Sequence, residues 1–301
     1  MILKERTKTN SYIILESLNT RMTLSSYEKL QYDNQVKGFL GEQLFDDCLR
    51  ACHPPGIILN DLLLSTRDTY YQIDSLLIAP DKIYLYEIKN YSGIYHYKDG
   101  MIQSESGYAL QDPVAQADRK RAYLYNLLLN NGMQMDVSSY VVFINPNFYI
   151  YTFPEQKSVI FSGHLSSHLK NLHIDANVSN ELSKSIADKL NRIHIKDYRP
   201  QNLPDYSFEH LTKGIVCPNC FSFRFNNSRQ TRTCLDCGTQ EKISVAIHRS
   251  IEEYKRLFPD TPVKKSDIHE WCGNNLSKSR IQSVLKTNYR KKQSGRGSYY
   301  D

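Results

Sequence analysis

Between Asn34 and Cys52 the apolar residues Val36, Phe39, Leu40, Leu44, Cys48 and Leu49 recur at helical spacing, and Pro54-Pro55-Gly56 stops the pattern. The period then changes. Three runs rich in Ile, Leu and Tyr, at Ile57 to Leu64, Tyr70 to Ala79 and Lys82 to Asn90, are separated by turn residues and predict an antiparallel meander. A short strand at Ile94 to Tyr97 ends at Lys98-Asp99-Gly100. Pro113 opens an amphipathic helix that runs to Asn130 and is closed by Asn131-Gly132. Short strands at Tyr140 to Asn145 and Ser158 to Phe161, then a helix from about Ser179 to Ile193, complete an α/β domain with a mixed sheet flanked by helices. Ahead of it, Met1 to Gln31 has mixed character, read as one strand (Tyr12 to Leu15) and a short helix.

Beyond Lys196 the pattern breaks into smaller pieces. Asp197 to Pro204, with two prolines, reads as a linker. Helical patterns follow at Val245 to Phe258, Lys265 to Cys272 and Ser277 to Tyr289, separated by Pro259-Asp260-Thr261-Pro262 and Gly273-Asn274-Asn275. The expected organisation is an N-terminal extension (1–34), the α/β domain (35–196), a linker (197–212), a cysteine ribbon (213–244), a three-helix module (245–290) and a basic flexible tail (291–301). A chain of 301 residues is long enough for one sizeable core plus small modules.

Charge sharpens the picture at one end. The net charge is +6, and from Pro262 onward nine Lys or Arg stand against three Asp or Glu, so this segment alone carries the excess. That fits a polyanionic partner, and equally a solvated tail. No leader-like segment and no apolar run of bilayer length is present, so no membrane partner is expected. Of seven cysteines, four form two Cys-x-x-Cys pairs, which points to metal ligation in a reducing compartment and a cytoplasmic location.

The candidate chemistry begins in the meander. Side chains alternate along a strand, so Glu87 and Lys89 share a face with Ile83 and Leu85, while Asp74 follows Leu76 and Ile78. A two-residue loop at Pro80-Asp81 and a four-residue loop from Ala79 to Lys82 give one register: Ile78 opposes Ile83, Leu76 opposes Leu85, and Asp74 opposes Glu87. Pro80 cannot supply the positive φ of tight two-residue turns, which favours the longer loop. Two opposed carboxylates on a partly buried face need a cation. Lys89 in a salt-bridge network is one candidate, and a hard divalent ion is the other.

Asp followed one strand later by Glu-x-Lys resembles the PD-(D/E)xK nuclease superfamily. The ordered set Gly38-Phe39-Leu40-Gly41-Glu42, Gln72-Ile73-Asp74, Tyr86-Glu87-Ile88-Lys89-Asn90-Tyr91-Ser92-Gly93 and Asp112-Pro113-Val114-Ala115-Gln116 resembles the nuclease-related domain, NERD, over roughly Gln35 to Asn130. This resemblance implies a restriction-endonuclease-like fold and Mg²⁺ or Mn²⁺ held by Asp74, Glu87 and the backbone carbonyl of Ile88. It also implies that Lys89 orients the attacking water and that Glu42 and Gln116 complete the catalytic site. Two positions depart from the pattern: Ile73 stands where Pro often precedes the Asp, and Lys120 stands where some relatives have Tyr four residues after the glutamine.

Cys217, Cys220, Cys234 and Cys237 have the spacing of a structural Zn²⁺ ribbon. The terminal helices resemble a helix-turn-helix, in which Lys278 and Arg280 face nucleic acid while Lys286, Arg290 and Lys291 contact phosphates; three-helix bundles also occur without such a role. The expected activity is metal-dependent phosphodiester hydrolysis in nucleic acid, with DNA favoured. The alternative is a noncatalytic nucleic-acid-binding protein on the same fold.

Overall fold

The computed structural model describes residues 1–66, 69–99, 101–172, 180–196, 198–200, 202–292 and 298–301. In chain order the elements begin β1 (Ile2–Lys4), α1 (Asn10–Arg21), α2 (Ser26–Cys52), β2 (Ile57–Ser65), β3 (Tyr70–Ile78), β4 (Lys82–Lys89), β5 (Gly93–Lys98), β6 (Met101–Ser104) and β7 (Ala109–Leu110). Then come α3 (Pro113–Leu129), β8 (Asp136–Phe143), β9 (Phe148–Tyr151), β10 (Val159–Phe161), α4 (Ser162–Lys170) and α5 (Glu181–Ile193). The chain ends with β11 (Phe225–Asn227), β12 (Thr231–Cys234), β13 (Gln240–Lys242), α6 (Ile243–Leu257), α7 (Lys265–Trp271) and α8 (Lys278–Asn288). Two compact units result, one of Met1–Asn10 with Asp33–Arg199 and one of Ser11–Tyr32 with Pro200–Asp301.

The first unit is built on a six-stranded sheet in the order β1-β2-β3-β4-β8-β10. Its meander β2-β3-β4 is antiparallel, while β1 joins β2 and β8 joins both β4 and β10 in parallel, so the sheet is mixed. The parallel step from β4 to β8 requires a long crossover, and α3 lies within it. Both faces are covered. Leu76, Ile78, Ile83 and Leu85 pack with Leu124 and Leu128 of α3 and Ile186 and Leu190 of α5. On the other side Leu77, Tyr84 and Tyr86 pack with Phe45 and Leu49 of α2 and Leu165 and Leu169 of α4. Each such aliphatic side chain withdrawn from water contributes about 1.5–3 kcal/mol.

A smaller four-stranded sheet, ordered β7-β6-β5-β9, packs Ile102 and Phe148 against Val141, Phe143 and Ala117. Its strands β6, β7 and β9 escape a periodicity reading because segments of two to four residues show no period. The turn expected at Lys98-Asp99-Gly100, the linker expected from Asp197, and the start of the helix expected at Ser179 include residues outside those described: Gly100, Asp197, Gln201 and Ser179.

Several expectations change. Tyr12 to Leu15 is helical, within α1, because Ile14, Leu15 and Leu18 fall on a buried helical face. The first helix of the α/β domain starts at Ser26 rather than Asn34, and its buried face matches the expected one only in part: Leu49 turns inward as expected and Gly41 and Phe45 join it, whereas Leu40 and Leu44 are exposed. The cause is a close approach at Gly41, where an added Cβ would lie 2.5 Å from the Asn90 Cβ. Asn90 in turn donates to the Lys37 carbonyl at 2.8 Å, which locks this contact to the end of β4.

In the second unit, Ile14 and Leu18 of α1 join Ile247, Ile251, Ile268, Trp271, Ile281 and Leu285 in one core. Arg21, only 1% exposed, lies over the Trp271 ring at 3.9 Å and pairs with Glu253 at 2.7 Å, so its buried charge is balanced. The strands β11-β12-β13 form a three-stranded antiparallel ribbon. Part of the tail expected to be flexible is ordered: Tyr300 is buried and bridges to Val263 and Lys291, while residues 293–297 lie outside those described. Among the described residues no helix is long and apolar enough to cross a membrane.

Candidate active site and four-cysteine cluster

The β3–β4 hairpin turns at Ala79 to Lys82, and its ladder pairs Ile78 with Ile83, Leu76 with Leu85 and Ser75 with Tyr86. That is the expected register, and one step further it changes character. Asp74 does not stand out from a face of the sheet. Its Oδ2 accepts from the Ile88 backbone N–H at 2.8 Å, so the carboxylate takes the place that a backbone carbonyl would occupy in a continued ladder. The parity of β3 shifts here, since Tyr71, Ile73, Leu76 and Ile78 all belong to one core cluster. Opposite Asp74, on β2, Asp61 adopts a φ of 57°.

Alternation carries Glu87 and Lys89 onto the α3 side of β4, the side of Ile83 and Leu85. Helix α3 is fixed at its start by Pro113 and by the Asp112 carboxylate, which accepts from the Val114 and Ala115 N–H groups at 2.9 and 3.2 Å. It then presents one stripe at four-residue steps: Gln116, Lys120, Leu124 and Leu128. The leucines cover the apolar part of β4. The polar pair covers its charged end.

Lys89 Nζ donates to Glu87 Oε1 at 2.8 Å and to Gln116 Oε1 at 2.9 Å. Lys120 Nζ donates to Glu87 Oε2 and lies 3.5 Å from Asp74 Oδ1. Every oxygen of Asp74 and Glu87 therefore meets a donor or cation supplied by the chain. Asp74 and Glu87 are 7% and 2% exposed. Burial raises the Glu87 pKa, the Asp74 charge adds to this, and the two lysines oppose it. Burial works against the charge of Lys120, yet the two carboxylates hold it above the ordinary lysine value.

Glu42 lies on the opposite layer and does not share this lysine network. Its Oε2 accepts from Arg6 Nη1 at 2.6 Å, and the same guanidinium holds both oxygens of Asp46, at 2.8 and 3.0 Å, and the Asp74 backbone carbonyl, at 2.9 Å. Burial first, and then the Asp74 charge, push the Glu42 carboxyl up to about 8 against the pull of Arg6. Arg6 follows β1 and was not singled out from the sequence. A lone arginine in an unplaced N-terminal segment carries no local signal, because the parallel pairing of β1 with β2 alone brings it here. For Lys120 a signal exists in the four-residue stripe it shares with Gln116.

In the second unit the two Cys-x-x-Cys pairs fold alike. The residue after each second cysteine has positive φ, 59° at Phe221 and 74° at Gly238, and its N–H returns to the first cysteine's carbonyl at 3.2 and 3.1 Å. The four sulfurs lie within 4.8 Å of one another. Cys217 and Cys237 are 3.6 Å apart and Cys220 and Cys234 3.5 Å, near the edge of about 3.8 Å that a tetrahedron with metal–sulfur bonds of about 2.3 Å requires. The thiols titrate together: hydrogen bonds from the Thr239 side chain and backbone bring Cys237 down to about 6, while Cys220, against a backbone hydrogen bond from Ser222, is pushed up to about 12 by Cys237 and the other sulfurs. The cluster could hold a metal ion such as zinc, and among the described residues it is the one group of three or more His, Cys, Asp or Glu so gathered. Of the residues predicted to contact nucleic acid, Lys278 and Lys286 are exposed on α8 and Arg290 and Lys291 are exposed beyond it, while Arg280 is half-buried and donates to the Arg229 carbonyl at 2.7 Å.

The first unit is thus a mixed sheet covered by helices, with an Asp, a Glu-x-Lys and a Gln converging at the end of its central hairpin. Residues 37–144 match the family model described as nuclease-related domain (NERD), and this stretch contains Glu42, Asp74, Glu87, Lys89, Gln116 and Lys120. The match spans well under half of the chain and leaves out the ribbon and the C-terminal helices. No curated protein matches the chain. Among solved structures, the crystal structure of protein VC1899 from Vibrio cholerae is similar at 11% identity and a TM-score of 0.24, over 49% of this chain and 34% of that one. The chain thus spans about a third of the length of that protein, a likeness too slight to carry an argument.

Proposed function

We propose that the first unit is a divalent-metal-dependent phosphodiesterase acting on nucleic acid, with DNA the favoured substrate. The observation that carries this reading is the meeting of Asp74, Glu87, Lys89 and Gln116 at one strand end within the stretch matched to the nuclease-related domain. The donor set is one of hard oxygens, which suits Mg²⁺ or Mn²⁺. Asp74, Glu87 and the Ile88 carbonyl would hold the ion. In an extended strand that carbonyl shares an edge with the Ile88 N–H, which meets Asp74. When bound, the ion would supply Lewis-acid stabilisation of the charge on the phosphodiester.

The remaining roles follow from the chain's own groups. Lys89, pinned between Glu87 and Gln116, is a preorganised cation that can orient a water or stabilise a nonbridging oxygen. Gln116 restrains that ammonium. Glu42, whose raised pKa leaves it able to carry a proton near neutrality, is a candidate proton carrier beside Asp74. In the second unit, Zn²⁺ bound by Cys217, Cys220, Cys234 and Cys237 would be structural, and the ribbon (213–244), the helices (245–290) and the basic tail (291–301) would dock substrate in the cytoplasm through Lys278, Arg280, Lys286, Arg290 and Lys291.

The test is incubation of purified protein with plasmid in Mg²⁺ or Mn²⁺. Asp74→Ala and Lys89→Ala are expected to lower cleavage on the order of a hundredfold or more; undiminished cleavage in both would remove the site. One observation favours a second reading, a noncatalytic nucleic-acid-binding protein: Lys120 stands between the carboxylates. That reading predicts salt-sensitive binding without cleavage, unaffected by removal of Mg²⁺.

A further inference from the structure

We propose that Lys120 is a resident counter-cation of the Asp74–Glu87 pair and competes with a divalent ion for the same carboxylate oxygens, so that metal binds only as the lysine ammonium is displaced. The inference rests on the metal-site reading above and deepens it by naming what sets the site's affinity.

Charge is the first support. Asp74 and Glu87 contribute two negative charges, and Lys120 and Lys89 two positive ones, all within one hydrogen-bonded and ion-paired group. The cluster is already neutral. A divalent ion added with both lysines in place leaves an excess of two positive charges among largely buried groups, which the low local dielectric makes costly. With Lys120 withdrawn, the two carboxylates and Lys89 carry one net negative charge and can accept the ion.

Position is the second. Lys120 Nζ contacts one oxygen from each carboxylate, the bridging place that a cation shared by the pair would take. Glu42, the third acidic residue expected at the site, is held by Arg6 instead. The carboxylates are thus arranged around an ammonium rather than preassembled as three ligands. The side chain also has the means to leave. A lysine has a flexible four-carbon stem and a compact head group, and its anchoring on α3 does not depend on where that head group points. Lys89 is differently placed, because Gln116 holds it on the far side of Glu87.

The experiment measures Mn²⁺ affinity by titration calorimetry on the whole 301-residue chain whose cysteine cluster has first been saturated with zinc. Wild type is compared with Lys120→Met, Lys120→Arg and the double variant Asp74→Asn with Lys120→Met. Lys120→Met is expected to bind Mn²⁺ on the order of tenfold or more tightly than wild type. Lys120→Arg retains the charge and should bind as weakly as wild type, and the double variant should lose the gain. A lysine of merely structural importance would give the opposite sign, since its loss would weaken the site. Because Lys120→Met leaves one net negative charge in a largely buried group, its thermal midpoint is also read with and without Mn²⁺. The midpoint should rise more on Mn²⁺ addition than that of wild type, a measurement that survives a lowered starting stability. Equal Mn²⁺ affinity in wild type and Lys120→Met overturns the competition and leaves the metal site standing. Absence of Mn²⁺ binding in both, with Lys120→Met folded, overturns the metal site itself.

Discussion

The carboxylate cluster of the first unit and the cysteine cluster of the second pose the same electrostatic problem and resolve it differently. Around Asp74 and Glu87 the chain supplies its own cations, Lys120 and Lys89. Around Cys217, Cys220, Cys234 and Cys237 the sulfurs face one another at 3.5 and 3.6 Å, an arrangement that becomes favourable when a metal ion joins four thiolates. The first cluster is thus neutralised by the chain's own cations, whereas the second gathers four sulfurs that could hold a metal ion. An acidic pair in a nuclease-like fold is thus no measure of metal affinity until the neighbouring lysines have been placed, while a pair of Cys-x-x-Cys knuckles nearly is.

The strongest way to break this contrast is to remove metal. Cys220→Ser, or a chelator strong enough to strip the cluster, is expected to abolish one bound zinc per chain and unfold the ribbon, read by metal analysis and by loss of its amide protection. The unfolding transition of the first unit should stay where it is; a matching fall there would show that both units depend on metal.

Next in size is Glu87→Gln. It leaves Lys120 and Lys89 beside a neutral amide in a site where Glu87 was 2% exposed, and breaking such a buried pair costs about 3–5 kcal/mol. Urea titration of the first unit measures this, and a change within error would mean that the lysines do not neutralise the pair. A smaller loss, about 1–3 kcal/mol, is expected for Gly41→Ala, since the new Cβ would collide with Asn90 and force α2 away from the end of β4. An Asn90→Gly companion should recover part of it if the collision is the cause.

The remaining prediction concerns pH. The Glu42 carboxyl is raised from 4.5 to about 8, so over that window the folded state binds more protons than the unfolded chain. Its contribution is therefore full below 4.5 and is lost as pH rises through 8, and stability should decline across that range. Glu42→Gln should flatten the decline. A wild-type profile that climbs instead would mean that the Arg6 pairing, not burial and Asp74, governs this group.

How much of the site was legible follows from the same residues. Gln116 and the Glu87–Lys89 pair lie where alternation along β4 and the helix opened by Pro113 direct them, because both signals act over a few residues. The hairpin register was equally accessible, since the pairing of Ile78 with Ile83 and Leu76 with Leu85 is required by one turn and one apolar face. Strict alternation brings the Asp74 and Glu87 carboxylates together, as Lys120 between them shows, but does not foresee that Asp74 leaves the regular ladder to accept from Ile88. The inward face of α2 was read only in part for a related reason: six apolar residues mark a stripe of which Leu49 is buried, but a glycine selected for close approach leaves no apolar mark. Arg6 is 36 residues from Glu42 and 68 from Asp74, and no local pattern spans such distances.

The sequence by itself determined the periods, two in the meander and 3.6 in the helices, and hence the element types, the hairpin pairing and the spacing of the cysteine knuckles. Tertiary structure alone decided which cation answers which carboxylate, turning Lys120 to Asp74 and Glu87 and Arg6 to Glu42 and Asp46. Backbone geometry repeats within a few residues and is written locally. The balance of buried charge is settled only when segments distant in the chain are brought into one poorly solvated place, where each ion must find its counterpart among whatever the fold delivers.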